Sequence, residues 1–203
     1  MADSVAGDWG PEMGNPAESD RPLLEQPLES RVLYSGRIVH LREERVRLSD
    51  GSEALREVVR HPGAVVLIPW DSQRERLILV RQYRHPAGRI FLELPAGKLD
   101  PGETPANCAA RELSEETGFT AGRLEHVRSV YTCVGFSNEV LHFFLAEDLV
   151  PGEPSPDEGE WLQVVDLSLA QARTLLREGR IQDAKTMVGL HWFLDRVDHG
   201  TAP

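Results

Sequence analysis

The sequence predicts an α/β domain, a mixed central sheet with helices on its faces and an N-terminal strand region before it. Three observations predict it. Apolar runs of strand length stand at 64–70 (AVVLIPW), 77–83 (LILVRQY) and 139–146 (EVLHFFLA), the pattern of buried strands. Between the second and third lies a stretch carrying both helix-end signals, Thr104-Pro105 at its start and Gly118 past its end. Two further helical stretches, 169–178 and 184–196, follow near the C-terminus, the first of them amphipathic.

Taken in order, residues 1–27 are rich in Gly, Pro, Ser, Asp and Glu, with prolines at 11, 16, 22 and 27. That composition predicts a flexible tail and leaves 28–198 for the folded domain. The segment 31–48 alternates in apolar patches and ends at Ser49-Asp50-Gly51, a turn signal between strands; 53–60 continues as a strand. Residues 71–76 form the turn between the first two apolar runs. Phe91 to Leu94 approaches the capped helix, and Pro95-Ala96-Gly97 makes a tight entry. After the helix, 121–133 reads as a turn and a strand, 150–159 as a Pro- and acid-rich loop, and 161–165 as a strand. The chain has no internal repeat.

Composition narrows the function. A length of 203 residues suits one domain of ordinary size, and 40% hydrophobic with 27% charged residues describes a soluble globular protein. The net charge of −11 excludes a general nucleic-acid binder, because no basic stripe offsets it. No run approaches the roughly 18 apolar residues of a membrane span, and the N-terminus has no basic region followed by an apolar stretch. Cys108 and Cys133 follow neither metal nor redox spacing, which predicts free thiols in a reducing, cytoplasmic setting.

The chemistry concentrates in 97–119, GKLDPGETPANCAARELSEETGF. On a helix, residues 112 and 116 lie about 40° apart and 115 lies about 60° to the other side of 112, so three carboxylates share one arc. Ala106, Ala109, Ala110 and Leu113 fall on another arc suited to packing on a sheet. Like charges at this spacing are destabilising unless a cation answers them. Arg111, four residues before Glu115, can hold that carboxylate, but one arginine cannot balance three. Oxygen donors without a Cys or His cluster point to Mg²⁺ or Mn²⁺ rather than zinc. His61, His85, His142 and His191 are scattered without metal spacing.

Gly97, Glu103, Arg111, Glu112, Leu113, Glu115, Glu116, Gly118 and Phe119 fill without a gap the spacing of the Nudix box, and the sequence resembles Nudix hydrolases. The flanks REVVRHPGAVVLIP and VRQYRHPAGRIFLELPAGKLDPGE, with the C-terminal GRIQDAKTMVGL, resemble the ADP-ribose pyrophosphatase branch of that family. The resemblance implies the α/β/α Nudix sandwich, a homodimer through the N-terminal strands, and Mg²⁺-dependent cleavage of ADP-ribose to AMP and ribose 5-phosphate. It implies Glu112 and Glu116 as metal ligands, Glu115 as ligand or support, and the Ala96 carbonyl as a further ligand. Arg111 orients the glutamates and Glu103 supports the loop. Arg60 and Arg84 match positions that hold substrate phosphate or terminal ribose, Glu93 matches one that contacts the substrate or a metal, and Glu139 is a further candidate for binding or metal support. The general base is expected from the acidic loop after the box, Glu160 before Glu158.

One departure bears on substrate. The branch commonly carries a proline sixteen residues past the last glycine of the box, and here that place is Val134. Valine does not fix φ as proline does, so another nucleoside diphosphate sugar such as GDP-mannose stays open. A non-catalytic nucleotide-sugar-binding module is the reading from a different class. It is disfavoured because every glutamate of the box is kept.

Overall fold

The computed structural model describes residues 17–155, 159 and 161–200, which form two compact units. The first takes its chain from Met1–Gly63 and Tyr131–Val140, the second from Ala64–Val130 and Leu141–Pro203.

The first unit is an antiparallel meander of β1 (Gln26–Ser35), β2 (His40–Arg47) and β3 (Glu53–Arg60). The turn between β2 and β3 falls at the expected Asp-Gly. Asp50 Oδ1 accepts from Ser52 N at 2.9 Å and Ser52 Oγ at 2.6 Å, and Gly51 takes a φ of 87° that few other residues tolerate. Cross-strand partners Glu29–Arg45 and Arg31–Glu43 form ion pairs at 2.8 Å. Both are largely open to water, so each adds only about 0.2–1 kcal/mol and mainly fixes register. The segment expected as tail is partly ordered: Glu18–Leu23 forms a 3-10 turn, β1 begins at Gln26, and Glu25 pairs with Arg56.

In the second unit the strands are β4 (Ala64–Asp71), β5 (Arg76–Arg84), β6 (Arg89–Glu93), β7 (Ala96–Lys98), β8 (Phe119–Tyr131), β9 (Val140–Pro151) and β10 (Leu162–Ser168). The helices are α1 (Pro105–Thr117), α2 (Leu169–Arg177) and α3 (Ala184–Asp198). The sheet runs β10-β5-β4-β9-β8, with β6 added to β5 and β7 to β4. It is mixed: β4 and β9 are parallel, while β4–β7, β5–β6 and β5–β10 are antiparallel.

Strand alternation sorts β4 between two cores. Val65 and Leu67 pack with Cys108, Ala109 and Leu113 of α1. Val66, Ile68 and Trp70 pack on the other face with Ala172 of α2 and with Leu190 and Phe193 of α3. All of these are buried, and the Trp70 and Phe193 ring centroids stand 5.2 Å apart. Fully burying an aliphatic or aromatic side chain contributes about 1.5–3 kcal/mol, so this double-sided strand is an apolar support for both faces of the sheet.

Three boundaries differ from the sequence reading. β8 starts at Phe119 with no preceding turn, because Gly118 (φ 74°) has already reversed the chain. β9 continues to Pro151, into the expected loop. β10 begins at Leu162 and leaves Trp161 89% exposed. The apolar arc of α1 also differs: Ala106 and Ala110 are exposed, and the buried face is Cys108, Ala109, Leu113, Glu116 and Thr117. The helix is turned so that one glutamate points inward.

Candidate active site

α1 forms where its caps predict. Thr104 accepts from Asn107 N at 3.3 Å, Pro105 occupies the first turn, and Gly118 closes the C-terminus in the left-handed region. This fixes the azimuth of Arg111, Glu112, Glu115 and Glu116. Arg111 is the organiser. Its Nε and Nη2 donate to the two Glu103 oxygens at 3.0 and 2.9 Å, and Nη2 also reaches Lys98 O at 3.2 Å. Nη1 donates to Glu112 Oε1 at 2.7 Å and Glu115 Oε2 at 2.9 Å. A planar guanidinium with five donors can hold three carboxylates and a carbonyl in this way, where a lysine could not. Glu103 is held down at about 2, first by Arg111 and then by the Asp100 N–H, which donates to Oε2 at 3.1 Å. Burial and the neighbouring Glu103 push the Cys108 thiol up to about 12.

Glu116 is 5% exposed, and its Oε2 accepts from Ala96 N at 3.0 Å. Gly97 leaves room for Glu112: a Cβ built on it would stand 1.8 Å from Glu112 Cδ and 1.9 Å from Oε1. The donor set is carboxylate and backbone oxygen, which fits a hard divalent cation. Among the described residues no three His, Cys, Asp or Glu side chains already converge as a cage. The Arg111 guanidinium stands between Glu112 and Glu115, so a cation would share those carboxylates with it.

The four residues entering the box are tied among them to β4, β5, α1 and α3. Glu93 accepts from Arg84 of β5, Nε to Oε1 at 2.9 Å and Nη2 to Oε2 at 2.8 Å, and also pairs with Lys185 of α3. Leu94 N donates to Thr186 Oγ1 of α3 at 2.8 Å. Leu67 N of β4 donates to Pro95 O at 2.8 Å, and Ala96 N goes to Glu116 of α1. Burial alone would push Glu93 up; the Arg84 and Lys185 contacts outweigh it and hold its carboxyl below the usual range.

The second unit therefore brings together Arg84, Glu93, Ala96, Arg111, Glu112, Glu115 and Glu116. Arg60 and Glu139 belong to the first unit. Arg60 Nη2 donates to Glu44 Oε1 at 2.6 Å, and its buried Nε has no partner among the described residues. Glu139 lies 3.5 Å from His61 Nε2 and accepts from Thr132 Oγ1 at 2.5 Å. Arg60 lines a groove of about 710 Å³ with Tyr131, Val134, Phe136 and Asn138. Glu158 and Glu160 lie outside the described residues.

Sequence reading passed over Asp183, Lys185 and Thr186. Asp183 caps α3, accepting from Thr186 N at 3.0 Å and Thr186 Oγ1 at 2.6 Å, and it pairs with Lys185 at 2.9 Å. The available signal was that Lys185 is one of two lysines in the chain and follows a capping aspartate.

A NUDIX domain model matches residues 59–188, and a nucleoside diphosphate sugar hydrolase N-terminal domain matches 25–59. An ADP-ribose pyrophosphatase of Bacillus subtilis is 38% identical over 85% of this chain and 94% of its own. A methanol dehydrogenase activator of Bacillus methanolicus is 37% identical over 83% of this chain and 91% of its own. A crystal structure described as an ADP compounds hydrolase superposes with a TM-score of 0.74 at 25% identity, covering 87% of this chain and 95% of that one. The matched box, the two-sided sandwich that carries it and the extent of these similarities lead to one family: the chain belongs to the Nudix hydrolases.

Proposed function

We propose that the protein hydrolyses the diphosphate bond of ADP-ribose with Mg²⁺, releasing AMP and ribose 5-phosphate. One observation carries the reading: a buried Glu116 carboxylate held by Ala96 N, beside Glu112 and Glu115 on the guanidinium of Arg111. The name of the Bacillus subtilis relative supports ADP-ribose as the substrate.

Nudix hydrolases need a divalent metal. In this reading Glu112, Glu116 and the Ala96 carbonyl would hold Mg²⁺, with Mn²⁺ as a substitute and Glu115 as ligand or support. When bound, the metal would supply positive charge against the diphosphate and would make water there easier to deprotonate. Arg111 keeps the carboxylates on one arc, and Glu103 keeps Arg111 in place. Arg84 and Arg60 grip the anionic substrate through charge-assisted hydrogen bonds. Glu93 sets the angle of Arg84, and Glu139 borders the substrate. Glu160, with Glu158 as second choice, takes the proton from the attacking water. The working form is a homodimer through the first unit, which the exposed Val32, Leu33, Tyr34, Ile38 and Val39 support. The free thiols Cys108 and Cys133 support a cytoplasmic location; no helix among the described residues is long and apolar enough to cross a membrane.

A second reading, hydrolysis of another nucleoside diphosphate sugar such as GDP-mannose, is favoured by Val134, which is 80% exposed on the groove wall. A substrate panel with Mg²⁺ separates the two: ADP-ribose, GDP-mannose, diadenosine polyphosphates and nucleoside triphosphates. ADP-ribose should lead by kcat/KM, and a lead by any other member overturns the first reading.

A further inference from the structure

Residues 132–139 leave β8, touch the end of β3 and return to begin β9. Val59 N donates to Phe136 O at 2.7 Å, and Val59 bridges Ser137 in parallel register. Two residues on, the next ladder position is filled by a side chain. Asn138 Oδ1 accepts from His61 N at 2.8 Å, and Asn138 Nδ2 donates to His61 O at 3.3 Å. The chain must peel away here to enter β9, so its own peptide no longer faces β3. A side-chain amide carries the same donor and acceptor as a peptide and can stand in for it.

The two residues joined this way are the immediate neighbours of Arg60 and Glu139. The joint is reinforced around both. Gly63 N donates to His61 Nδ1 at 3.1 Å, Thr132 N donates to Glu139 O at 3.3 Å, and Glu139 N donates to Ser137 Oγ at 3.2 Å. Both Arg60 and Asn138 line the groove of the first unit, and Arg60 is held from its other side by Glu44 Oε1, which accepts from Nη2 at 2.6 Å.

We propose that Asn138 is a positioning residue: its amide fixes the 132–139 loop on β3 and so sets the direction in which Arg60 meets the substrate. The role rests on the proposed function, because Arg60 is its substrate contact. Asn138 itself need not touch the substrate; it acts through His61 and the β3 end.

The test uses the full chain with Mg²⁺ and ADP-ribose. N138A should raise KM about tenfold, the equivalent of one lost hydrogen bond in binding, with kcat within about twofold of wild type. N138D keeps the acceptor for His61 N but loses the donor to His61 O, and its KM should fall between the two. Amide exchange at His61 should accelerate in N138A while exchange at Leu67 in β4 stays slow. An unchanged KM in N138A overturns the proposal. So does a loss of kcat in step with a general rise in exchange, which would mark a folding defect. If wild type does not hydrolyse ADP-ribose, the proposed function fails; unchanged His61 exchange in N138A would then overturn the clamp separately.

Discussion

Gly97→Ala tests the carboxylate site with little disturbance elsewhere. The added Cβ would stand 1.8 Å from Glu112 Cδ and 1.9 and 2.2 Å from its oxygens. Ordinary carbon contacts lie at about 3.5–4.0 Å, so the carboxylate must retreat by roughly 2 Å. What moves is the far end of a flexible side chain, so the fold should lose little. The site should lose much. A displacement of about 1 Å in an organised site can cost a hundredfold, so kcat/KM should fall at least about 100-fold, or about 2.7 kcal/mol of transition-state stabilisation. The assay is phosphate-ester release from ADP-ribose across a Mg²⁺ titration, beside a thermal melt of the same preparation. A Tm within about 3 °C of wild type and a rightward shift in the Mg²⁺ curve are expected with the rate loss. A variant with wild-type kcat/KM and Mg²⁺ dependence would refute the placement of Glu112 at the metal.

Other perturbations separate metal, support and core. E116Q keeps shape and the Ala96 hydrogen bond but removes the charge, so it should fold normally and lose at least about 100-fold in rate; a fully active E116Q removes Glu116 from the metal set. E93Q should be destabilised by about 2 kcal/mol at pH 7, less than the 3–5 of a fully buried pair because Arg84 stays partly open to water. The folded pKa of Glu93 is depressed, so its stabilisation is present above the unfolded value near about 4.3 and is lost as pH falls through the lower folded value. Urea melts of wild type and E93Q should therefore converge below that window, and a constant gap down to the lowest pH would contradict it. With its thiol raised to about 12 and its side chain buried, Cys108 should resist a thiol reagent at pH 8 until the protein is unfolded. Rapid labelling of two cysteines in the native protein would show that this face of α1 opens.

The strands and the caps of α1 were legible because their signals are local: apolar runs for β4 and β9, Thr104 and Gly118 for the helix. The inward turn of Glu116 was not, since apolar periodicity counts only apolar residues and assigns every carboxylate to the outside. Its burial depends on Ala96 N, twenty residues earlier. Lys185 and Glu93 are 92 residues apart, and Asn138 and His61 are 77 apart. No local pattern carries such pairings, and each shows only once the sheet order is known. The limits of β8 and β9 were missed for another reason: Gly118 had already made the turn, and the Pro- and acid-rich composition starts before the strand ends.

The segment from Glu93 to Ala96 also sets an order of events during synthesis. Three of its ties are available once β4, β5 and α1 have emerged, but Leu94 N and Glu93 wait for Thr186 and Lys185. The box helix can form and cap itself early. The backbone that presents Ala96 to it gains its last two fastenings only when α3 docks, near the end of the chain. A ribosome-bound fragment ending before Asp183 would carry every glutamate of the box and lack the two α3 fastenings of the approach to it.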